Sequence, residues 1–246
     1  MQDKNYYSRS AVIKRRKLRR RKIVIRRIFL ISVTAFLVTA LVCGGVFIYS
    51  LINPSAYDEG FIPKPFGTNI SKRVTKAKEL EMPDWIDVQL IHMHTTARTG
   101  INLKDIKNIV IHYVGNPNTT AQNNRDYFDK ATTTVSSHFV VGLDGEIIQC
   151  VPLYEKSAAS NDRNKDTISI EVCHPDDTGK YSDVTYQSVI KLVAFLCKNF
   201  SLDEKDIIRH YDITGKICPK YYVENEDAWE TLKEDVKESL DEYEEN

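Results

Sequence analysis

The stretch IKNIVIHYV, residues 106–114, is the most informative part of this chain about its fold. Its apolar and mostly β-branched residues predict a buried strand. His112 stands within that strand, and the two-residue period of a strand places it on the same face as Val110 and Val114. A buried strand that carries a histidine is therefore the first element of the fold and the first place to look for a site.

Strands and helices alternate after this first strand. The dipeptide Asp144-Gly145 is typical of a turn between two β-rich runs, and apolar residues recur at helical spacing between residues 185 and 200. In chain order, the predicted elements are a helix at 119–131, a hairpin at 136–151, a strand at 167–173, a helix at 185–200, a strand at 206–213 and a closing helix at 228–245. This order predicts an α/β fold, a single domain at residues 96–246 with a central mixed β-sheet flanked by helices.

The N-terminal region has a different character. Residues 1–27 carry 12 of the 34 Lys and Arg residues and one acidic residue, so the rest of the chain has 22 basic and 33 acidic residues, a formal charge of −11. Residues 28–52 are uncharged and long enough to cross about 30 Å of hydrocarbon as a helix. By the positive-inside rule, we expect a cytoplasmic tail at 1–27, a transmembrane anchor at 28–52 and an extracellular C-terminal domain, as in a single-pass protein of the cell membrane.

Two other interpretations of this region remain. A cleaved secretory signal has a shorter apolar region, about 7–15 residues, and a better cleavage site than Val38-Thr39-Ala40. The basic run KRRKLRRRK, residues 14–22, is also typical of nucleic-acid binding. Its position beside the span favours a role in topology and in contact with anionic lipid headgroups. We therefore expect a membrane partner and no nucleic-acid partner, and the sequence does not indicate an oligomeric state.

Residues 53–95 separate the span from the predicted domain. They contain four prolines and many charges without a sustained apolar period, apart from a short helix predicted within SKRVTKAKELE, residues 71–81. This composition is typical of an extracellular stalk or arm.

Cysteine usage leaves the redox state open. Cys43 lies in the predicted span, and an even number of cysteines remains outside it: Cys150, Cys173, Cys197 and Cys218. Two disulfides are compatible with this number in an oxidising compartment. If one of the four binds a metal ion, at most one bridge can form among the other three.

His112, His210 and Cys218 form a candidate set of metal ligands. His210 ends the last predicted strand, and Cys218 follows on a loop that turns at Gly215. Zinc prefers N and S ligands in tetrahedral geometry, and a catalytic zinc site keeps its fourth position for water. Each residue also has an ordinary interpretation, since a strand histidine is commonly hydrogen-bonded and a lone cysteine is commonly a small core residue. Other histidines compete for the ligand role: His92, His94, His138 and His174.

Four segments stand in register along the chain: IVIHYVGNP (109–117), VSSHFVVGLDGEIIQCVP (135–152), TISIEVC (167–173) and RHYDITGKICPKYY (209–222). Together they resemble the zinc-dependent N-acetylmuramoyl-L-alanine amidases of type 2, a family that includes the phage T7-type lysozymes and is related to the peptidoglycan recognition proteins. The resemblance covers roughly residues 90–235. Each motif alone is weak, but four in register are specific.

Carried over position by position, the resemblance makes His112, His210 and Cys218 the ligands of a Zn²⁺ cofactor. Glu171 matches the glutamate that many bacterial members use as general base. Lys216 matches a lysine that stabilises the oxyanion. The resemblance therefore implies an enzyme whose catalytic residues are Glu171 and Lys216.

Other positions match the family less closely. Asp212 matches a recurrent aspartate whose role is structural or supportive of the ligands. Ser137 stands where T7-like members have a tyrosine, which gives Glu171 more weight as the base. Ser157 stands where many members have a histidine. His138 matches a common histidine that is not a ligand, so we expect it to be structural or to line the pocket.

The resemblance implies a membrane-anchored cell-wall hydrolase that cleaves the amide bond between N-acetylmuramic acid and L-alanine of the peptidoglycan stem peptide by zinc-activated water. The alternative is a non-hydrolytic muropeptide-binding receptor on the same fold, and the complete ligand set with Glu171 favours the enzyme. In a third interpretation the zinc is only structural, which requires a fourth protein ligand, for which His138 is the nearest candidate.

Overall fold

The computed structural model describes residues 29, 32–34, 70–93 and 96–245. Residues 243–245 are described by their backbone only. In chain order, the elements are α1 (Lys72–Glu79), β1 (Asp87–Val88), β2 (Asn108–Tyr113), α2 (Ala121–Phe128), β3 (Phe139–Val141), β4 (Ile147–Gln149), β5 (Thr167–Val172), α3 (Asp183–Phe200), β6 (Ile207–Arg209), α4 (His210–Thr214), α5 (Lys220–Glu224) and α6 (Glu226–Glu245). Short 3₁₀ turns occupy Asn161–Lys165 and Glu204–Asp206.

The six strands form one mixed sheet in the order β1-β4-β3-β5-β2-β6. Strands β3 and β4 run antiparallel, and the other neighbours run parallel. The predicted α/β fold with a central mixed sheet is confirmed. Strand β2 pairs with β5 along its whole length, and this register sets His112 beside Glu171. Because neighbouring residues of paired strands point to the same side, the two side chains share one face of the sheet.

The two faces of the sheet are covered differently. Ile109 and Ile111 of β2 belong to the larger apolar cluster, which includes residues of α3 and α6. On the opposite face, Val140 and Ile148 pack with Phe128 of α2 in a smaller cluster. His112 is out of phase with Ile109 and Ile111, so it lies on the face that α2 covers only in part.

Helix α3 forms where its apolar spacing predicts it. The Ser182 hydroxyl accepts a hydrogen bond from the Thr185 N–H at the N-terminus, and Ser201 ends the helix in the left-handed conformation. The apolar residues at helical spacing are all buried: Val189, Leu192, Val193, Leu196 and Phe200. Their burial against the sheet, rather than helix propensity alone, stabilises this helix.

The predicted hairpin joins β3 and β4 through residues 142–146. Gly145 adopts a φ of +80°, and a Cβ at this position would lie 2.7 Å from the Ser188 Oγ. Both the left-handed backbone and the close approach of α3 therefore require glycine here.

Residues 70–93, which the sequence assigned to the stalk, pack against the sheet domain. Val74 and Ala77 of α1 are buried in the larger apolar cluster, and β1 pairs with β4. Arg73 donates hydrogen bonds to the carbonyls of Ile106 and Ser201 at 3.0 and 2.9 Å. These contacts join residues more than thirty positions apart, which explains why a short segment rich in charge was assigned to the stalk.

The predicted membrane anchor falls almost wholly outside the described residues. Of the span 28–52, only Phe29 and residues 32–34 are described, and they are helical. Among the residues that the structure describes, no helix combines the length and the apolar character needed to cross a membrane.

The cysteines of the domain are free and buried: Cys150, Cys173, Cys197 and Cys218. Burial raises the pKa of the Cys150, Cys173 and Cys197 thiols to about 12, so they stay protonated at neutral pH. The two disulfides that an even number of cysteines allowed do not form among these four residues. Three of the thiols behave as small core side chains.

Candidate metal centre

His112, His210 and Cys218 meet at one end of the sheet. One donor atom from each side chain lies within 4.8 Å of the other two. The three residues are 1%, 7% and 2% exposed. The His112 Nδ1 is 3.8 Å from the Cys218 Sγ, and the two imidazole rings lie 4.6 Å apart between their centroids. The structure thus brings together the three residues that the sequence indicated as a ligand set.

Adjacent strand ends and one returning loop produce this arrangement. His112 lies near the end of β2, and His210 follows directly on β6, which runs parallel to β2. His210 begins helix α4 rather than ending the strand. Gly215, at a φ of +76°, ends that helix, and the Tyr211 N–H donates to the Cys218 carbonyl at 2.9 Å. The chain therefore folds back over eight residues and returns the Cys218 thiol to the histidines.

Burial keeps the two imidazoles in the form that binds metals. Burial lowers the pKa of His112 well below its usual range, with the neighbouring His210 and Lys216 adding to the effect. The pKa of His210 is lowered by burial and by Lys216. Burial raises the pKa of the Cys218 thiol to about 12. Neutral imidazoles are ready ligands, and a metal ion bound beside them would deprotonate the thiol.

This donor set fits zinc. Two ligands of a tetrahedral zinc ion, one nitrogen at about 2.0 Å and one sulfur at about 2.3 Å, lie about 3.5 Å apart. The separation of the His112 Nδ1 and the Cys218 Sγ is 3.8 Å. Two nitrogens and one sulfur are also the ligand types that zinc prefers, and three protein ligands leave a position for water or substrate.

Glu171 faces the same cluster from β5. Its Oε1 lies 4.0 Å from the His112 Nδ1. Its Oε2 is buried and has no hydrogen-bond partner among the described groups. Burial raises the pKa of this carboxyl to about 8, and the charge of Lys216 acts in the opposite direction. A buried carboxyl oxygen without a partner, beside a cluster of metal-binding side chains, is suited to exchange protons with a bound molecule.

A cleft of about 1170 Å³ opens onto these side chains. Glu171, Lys216 and the three donor residues line it. Amide and aromatic side chains form other parts of its wall: Asn116, Asn123, Asn124, Asn161, Asn164, Tyr113, Tyr127 and Phe128. Lys216 is exposed and contributes a positive charge to this wall. The cleft therefore combines a buried polar floor with walls that offer hydrogen bonds and ring faces.

His138 is held inside the fold rather than offered to a metal ion. Its Nε2 lies 2.9 Å from the Glu155 carbonyl, so it donates there, and its Nδ1 accepts from the Ser169 N–H at 3.0 Å. Burial lowers its pKa to about 4. With both nitrogens engaged, His138 has no lone pair for zinc, which disfavours the interpretation with His138 as a fourth ligand.

Of the other competing histidines, the two that the structure describes, His92 and His174, do not belong to the group of metal-binding side chains. His92 is exposed and pairs with Asp129. His174 is buried, bonds the Asp176 carbonyl through Nδ1 and stacks on Tyr113. His94 lies outside the described residues.

The remaining positions compared with the family have contacts within the fold. The Asp212 carboxylate accepts a hydrogen bond from the Arg209 backbone N–H and so caps the start of α4. It also forms an ion pair with the Arg209 guanidinium. Ser137 donates to the Phe139 carbonyl. The Ser157 Oγ lies 2.7 Å from the Ser169 Oγ. These contacts of Asp212 are structural, one of the two roles that the resemblance implied.

Two residues that the sequence did not indicate contact the histidines directly. The Ser160 Oγ lies 3.3 Å from the His112 Nε2, and the Asn161 Oδ1 lies 3.4 Å from the His210 Nε2. Both residues are separated from their partners by 48 or 49 positions, and no local pattern marks them. The only signal was their place in the loop that precedes the Glu171 strand.

Comparisons with known proteins show which proteins this chain is similar to. The family model described as N-acetylmuramoyl-L-alanine amidase matches residues 102–221. The chain is 31% identical over 167 residues to N-acetylmuramoyl-L-alanine amidase CwlL of Bacillus licheniformis, and 32% identical over 171 residues to N-acetylmuramoyl-L-alanine amidase BlyA of Bacillus subtilis strain 168. Each match covers 61% of this chain and 46% of the relative, so the chain spans less than half the length of either one.

A solved structure extends the likeness to the fold. The structure of a mutant endolysin from Bacillus subtilis is similar with a TM-score of 0.55 and 25% identity, over 61% of this chain and 97% of that one. The matched family segment contains the paired strands β2 and β5 and all three donor residues. Residues 102–221, the segment that carries the candidate site, are therefore similar to the N-acetylmuramoyl-L-alanine amidases of type 2.

Proposed function

We propose that this protein is a membrane-anchored, zinc-dependent N-acetylmuramoyl-L-alanine amidase. It hydrolyses the amide bond between the lactyl carbonyl of N-acetylmuramic acid and the L-alanine of the peptidoglycan stem peptide. The observation that carries the proposal is the buried set of His112, His210 and Cys218 donors with the Glu171 carboxyl beside it, on the floor of the cleft. The name shared by the curated relatives supports the same activity.

His112, His210 and Cys218 would hold the zinc ion. When bound, Zn²⁺ lowers the pKa of a water molecule toward neutrality and polarises the amide carbonyl. The shell of buried side chains around the three donors keeps bulk water from competing for them.

Glu171 is the general base in this proposal. Its carboxylate takes a proton from the attacking water, and the water oxygen forms the new bond to the carbonyl carbon of the lactyl group. As the C–N bond breaks, Glu171 passes that proton to the nitrogen of L-alanine, which leaves as a free amine. The unpartnered Oε2 supports this role, because a carboxyl oxygen committed to another hydrogen bond would be a weaker proton acceptor.

Lys216 stabilises the negative charge that develops on the carbonyl oxygen. It lines the cleft together with Glu171, and its positive charge acts on the groups of the site. It opposes the rise that burial causes in the pKa of Glu171 and adds to the fall that burial causes in the pKa values of His112 and His210. Removing such a donor typically costs about 10²–10³ in kcat. The amide side chains of the cleft wall are suited to the peptide and hydroxyl groups of a glycopeptide.

The anchor and topology belong to the same proposal. The basic tail at 1–27 stays in the cytoplasm, residues 28–52 cross the membrane, and the catalytic domain lies outside, next to peptidoglycan. The charge distribution of the sequence supports this arrangement. Protease added to spheroplasts should digest a C-terminal epitope tag and spare an N-terminal one, and the reverse pattern would refute the topology.

The activity is tested with the full chain purified in detergent. We would measure bound zinc and the release of new L-alanine amino termini from peptidoglycan for the wild type, Cys218→Ser and Glu171→Gln. Cys197→Ser is the matched control, because Cys197 is a buried free thiol within helix α3.

We expect near-stoichiometric zinc in the wild type and in Cys197→Ser, and its loss in Cys218→Ser. Glu171→Gln should retain zinc and lose about 10²–10⁴ in kcat, the usual contribution of a general base. A wild-type protein that holds zinc and binds muropeptides but releases no amine would refute the enzyme and leave the receptor as the function.

A further inference from the structure

A short loop contacts both histidines of the metal centre, and at His112 it contacts the ring nitrogen other than the one near Cys218. We call residues 159–164 the Ser160 loop. Ser160 is fully buried, and its hydroxyl lies 3.3 Å from the His112 Nε2. Asn161 follows directly, and its Oδ1 lies 3.4 Å from the His210 Nε2. Two consecutive residues thus contact the same ring atom of two different histidines.

The loop is held in shape by its own hydrogen bonds. The Asn164 Oδ1 accepts from the backbone N–H of Ala159 at 3.0 Å and of Ser160 at 2.6 Å. The Arg163 N–H donates to the Ser160 carbonyl at 2.9 Å. Asn161 adopts a left-handed φ of 52°, a conformation that asparagine tolerates better than most residues. The positions of the Ser160 hydroxyl and the Asn161 amide therefore follow from a defined backbone.

The contacts decide which ring nitrogen of each histidine carries the proton. A neutral imidazole has one N–H donor and one lone-pair acceptor. The carbonyl oxygen of an asparagine side chain only accepts, so the His210 Nε2 carries the proton and leaves its lone pair on Nδ1. For His112, the Nδ1 faces the Cys218 Sγ at 3.8 Å and the Nε2 faces the Ser160 hydroxyl at 3.3 Å, a geometry compatible with an Nε2–H that donates to Ser160.

We propose that Ser160 and Asn161 are positioning residues that hold His112 and His210 in the Nε2–H tautomer and so present both Nδ1 atoms to the zinc ion. The proposal rests on the zinc site of the proposed function and adds the two side chains that orient its ligands. Metal-binding histidines generally donate their second N–H to a protein acceptor, and loss of that acceptor typically weakens metal binding about 10–100-fold.

The first test is zinc affinity, measured with the full chain in detergent by competition with a chromophoric chelator. We expect Ser160→Ala and Asn161→Gly each to raise the Kd for zinc by about 10–100-fold. Glycine at position 161 keeps the left-handed backbone and removes only the acceptor oxygen. Asn161→Asp keeps the left-handed backbone and the acceptor oxygen, so this variant should bind zinc at least as tightly as the wild type.

Ser157→Ala is the matched control. Ser157 is buried in the same segment, but its hydroxyl pairs with the Ser169 Oγ rather than with an imidazole. Its Kd for zinc should stay within about twofold of the wild-type value, because neither ligand loses an acceptor.

The second test reads the tautomers directly. In ¹⁵N spectra of the imidazoles of the zinc-free wild type, His112 and His210 should both show a protonated Nε2 and an unprotonated Nδ1. Ser160→Ala should increase the Nδ1–H form of His112 only, and Asn161→Gly that of His210 only. This measurement on the wild type needs no variant, so it remains decisive if Ser160→Ala fails to fold.

The outcomes separate this inference from the activity. Zinc affinities of Ser160→Ala and Asn161→Gly equal to that of Ser157→Ala, or Nδ1–H tautomers in the wild type, would overturn the positioning role and leave the amidase intact. Weakened zinc binding in both variants of a protein that releases no amine would refute the amidase and support the positioning role. A wild type that binds no zinc would overturn both.

Discussion

We expect Arg98→Met to destabilise the domain by about 3–5 kcal/mol, because it leaves the Glu155 carboxylate buried without its charged partner. The Arg98 Nε and Nη2 lie 2.8 and 2.9 Å from the two Glu155 oxygens, and the side chains are 8% and 5% exposed. The Arg98 Nη1 also donates to the Ile91 carbonyl at 2.7 Å. An exposed pair of the same geometry contributes about 0–1 kcal/mol, so burial decides the size of the effect.

Urea unfolding followed by the fluorescence of Trp85 and Trp229 measures this change. In thermal unfolding of a domain of this size, a loss of about 3–5 kcal/mol in the free energy of unfolding corresponds to a fall of roughly 6–20 °C in Tm. Lys233→Met is the control, since Lys233 and Glu230 also approach to 2.8 Å but are 21% and 54% exposed. We expect that control to cost under about 1 kcal/mol.

A double variant separates the loss of the pair from the loss of packing. Arg98→Met combined with Glu155→Leu removes both buried charges and should recover a large part of the stability lost in Arg98→Met. The reasoning fails if Arg98→Met costs no more than Lys233→Met. It also fails if the double variant is as unstable as the sum of the two single variants.

Three further predictions concern other parts of the domain. The pKa of His138 is about 4 in the folded chain and about 6.5 in the unfolded chain, so the unfolded state binds more protons between these pH values. The free energy of unfolding should therefore fall by about 3 kcal/mol as the pH drops from 6.5 to 4. In urea unfolding measured at a series of pH values, His138→Gln should reduce this dependence on pH. Thr120→Ala removes the hydroxyl that accepts from the Asn123 N–H at the start of α2 and should cost about 1 kcal/mol in the same assay, whereas a cost near zero would show that the cap is not needed. Leu192→Ala opens a cavity at a fully buried position of α3 and should cost about 2–5 kcal/mol, and a loss below 1 kcal/mol would contradict its place in the core.

Much of the fold was predictable because its signals are local. The apolar run around His112, the turn at Gly145 and the helical spacing within α3 each depend on residues a few positions apart. The segment 70–93 was assigned to the stalk for the opposite reason. Val74 and Ala77 become core residues only through contacts with distant parts of the chain.

From the amino-acid sequence alone follow the residue types, most of the elements that carry them and the charge pattern of the N-terminal tail. It indicated His112, His210 and Cys218 through motifs that resemble a family, while His138 and His174 remained competitors. The fold brings these three side chains together, because β2 lies between β5 and β6 and the Cys218 loop folds back onto the ends of these strands, whereas both ring nitrogens of His138 are engaged elsewhere. The contacts of Ser160, Asn161 and the Arg98–Glu155 pair likewise arise between residues roughly fifty positions apart. Such contacts depend on strand order and register, which are set by the packing of the whole domain rather than by any local period.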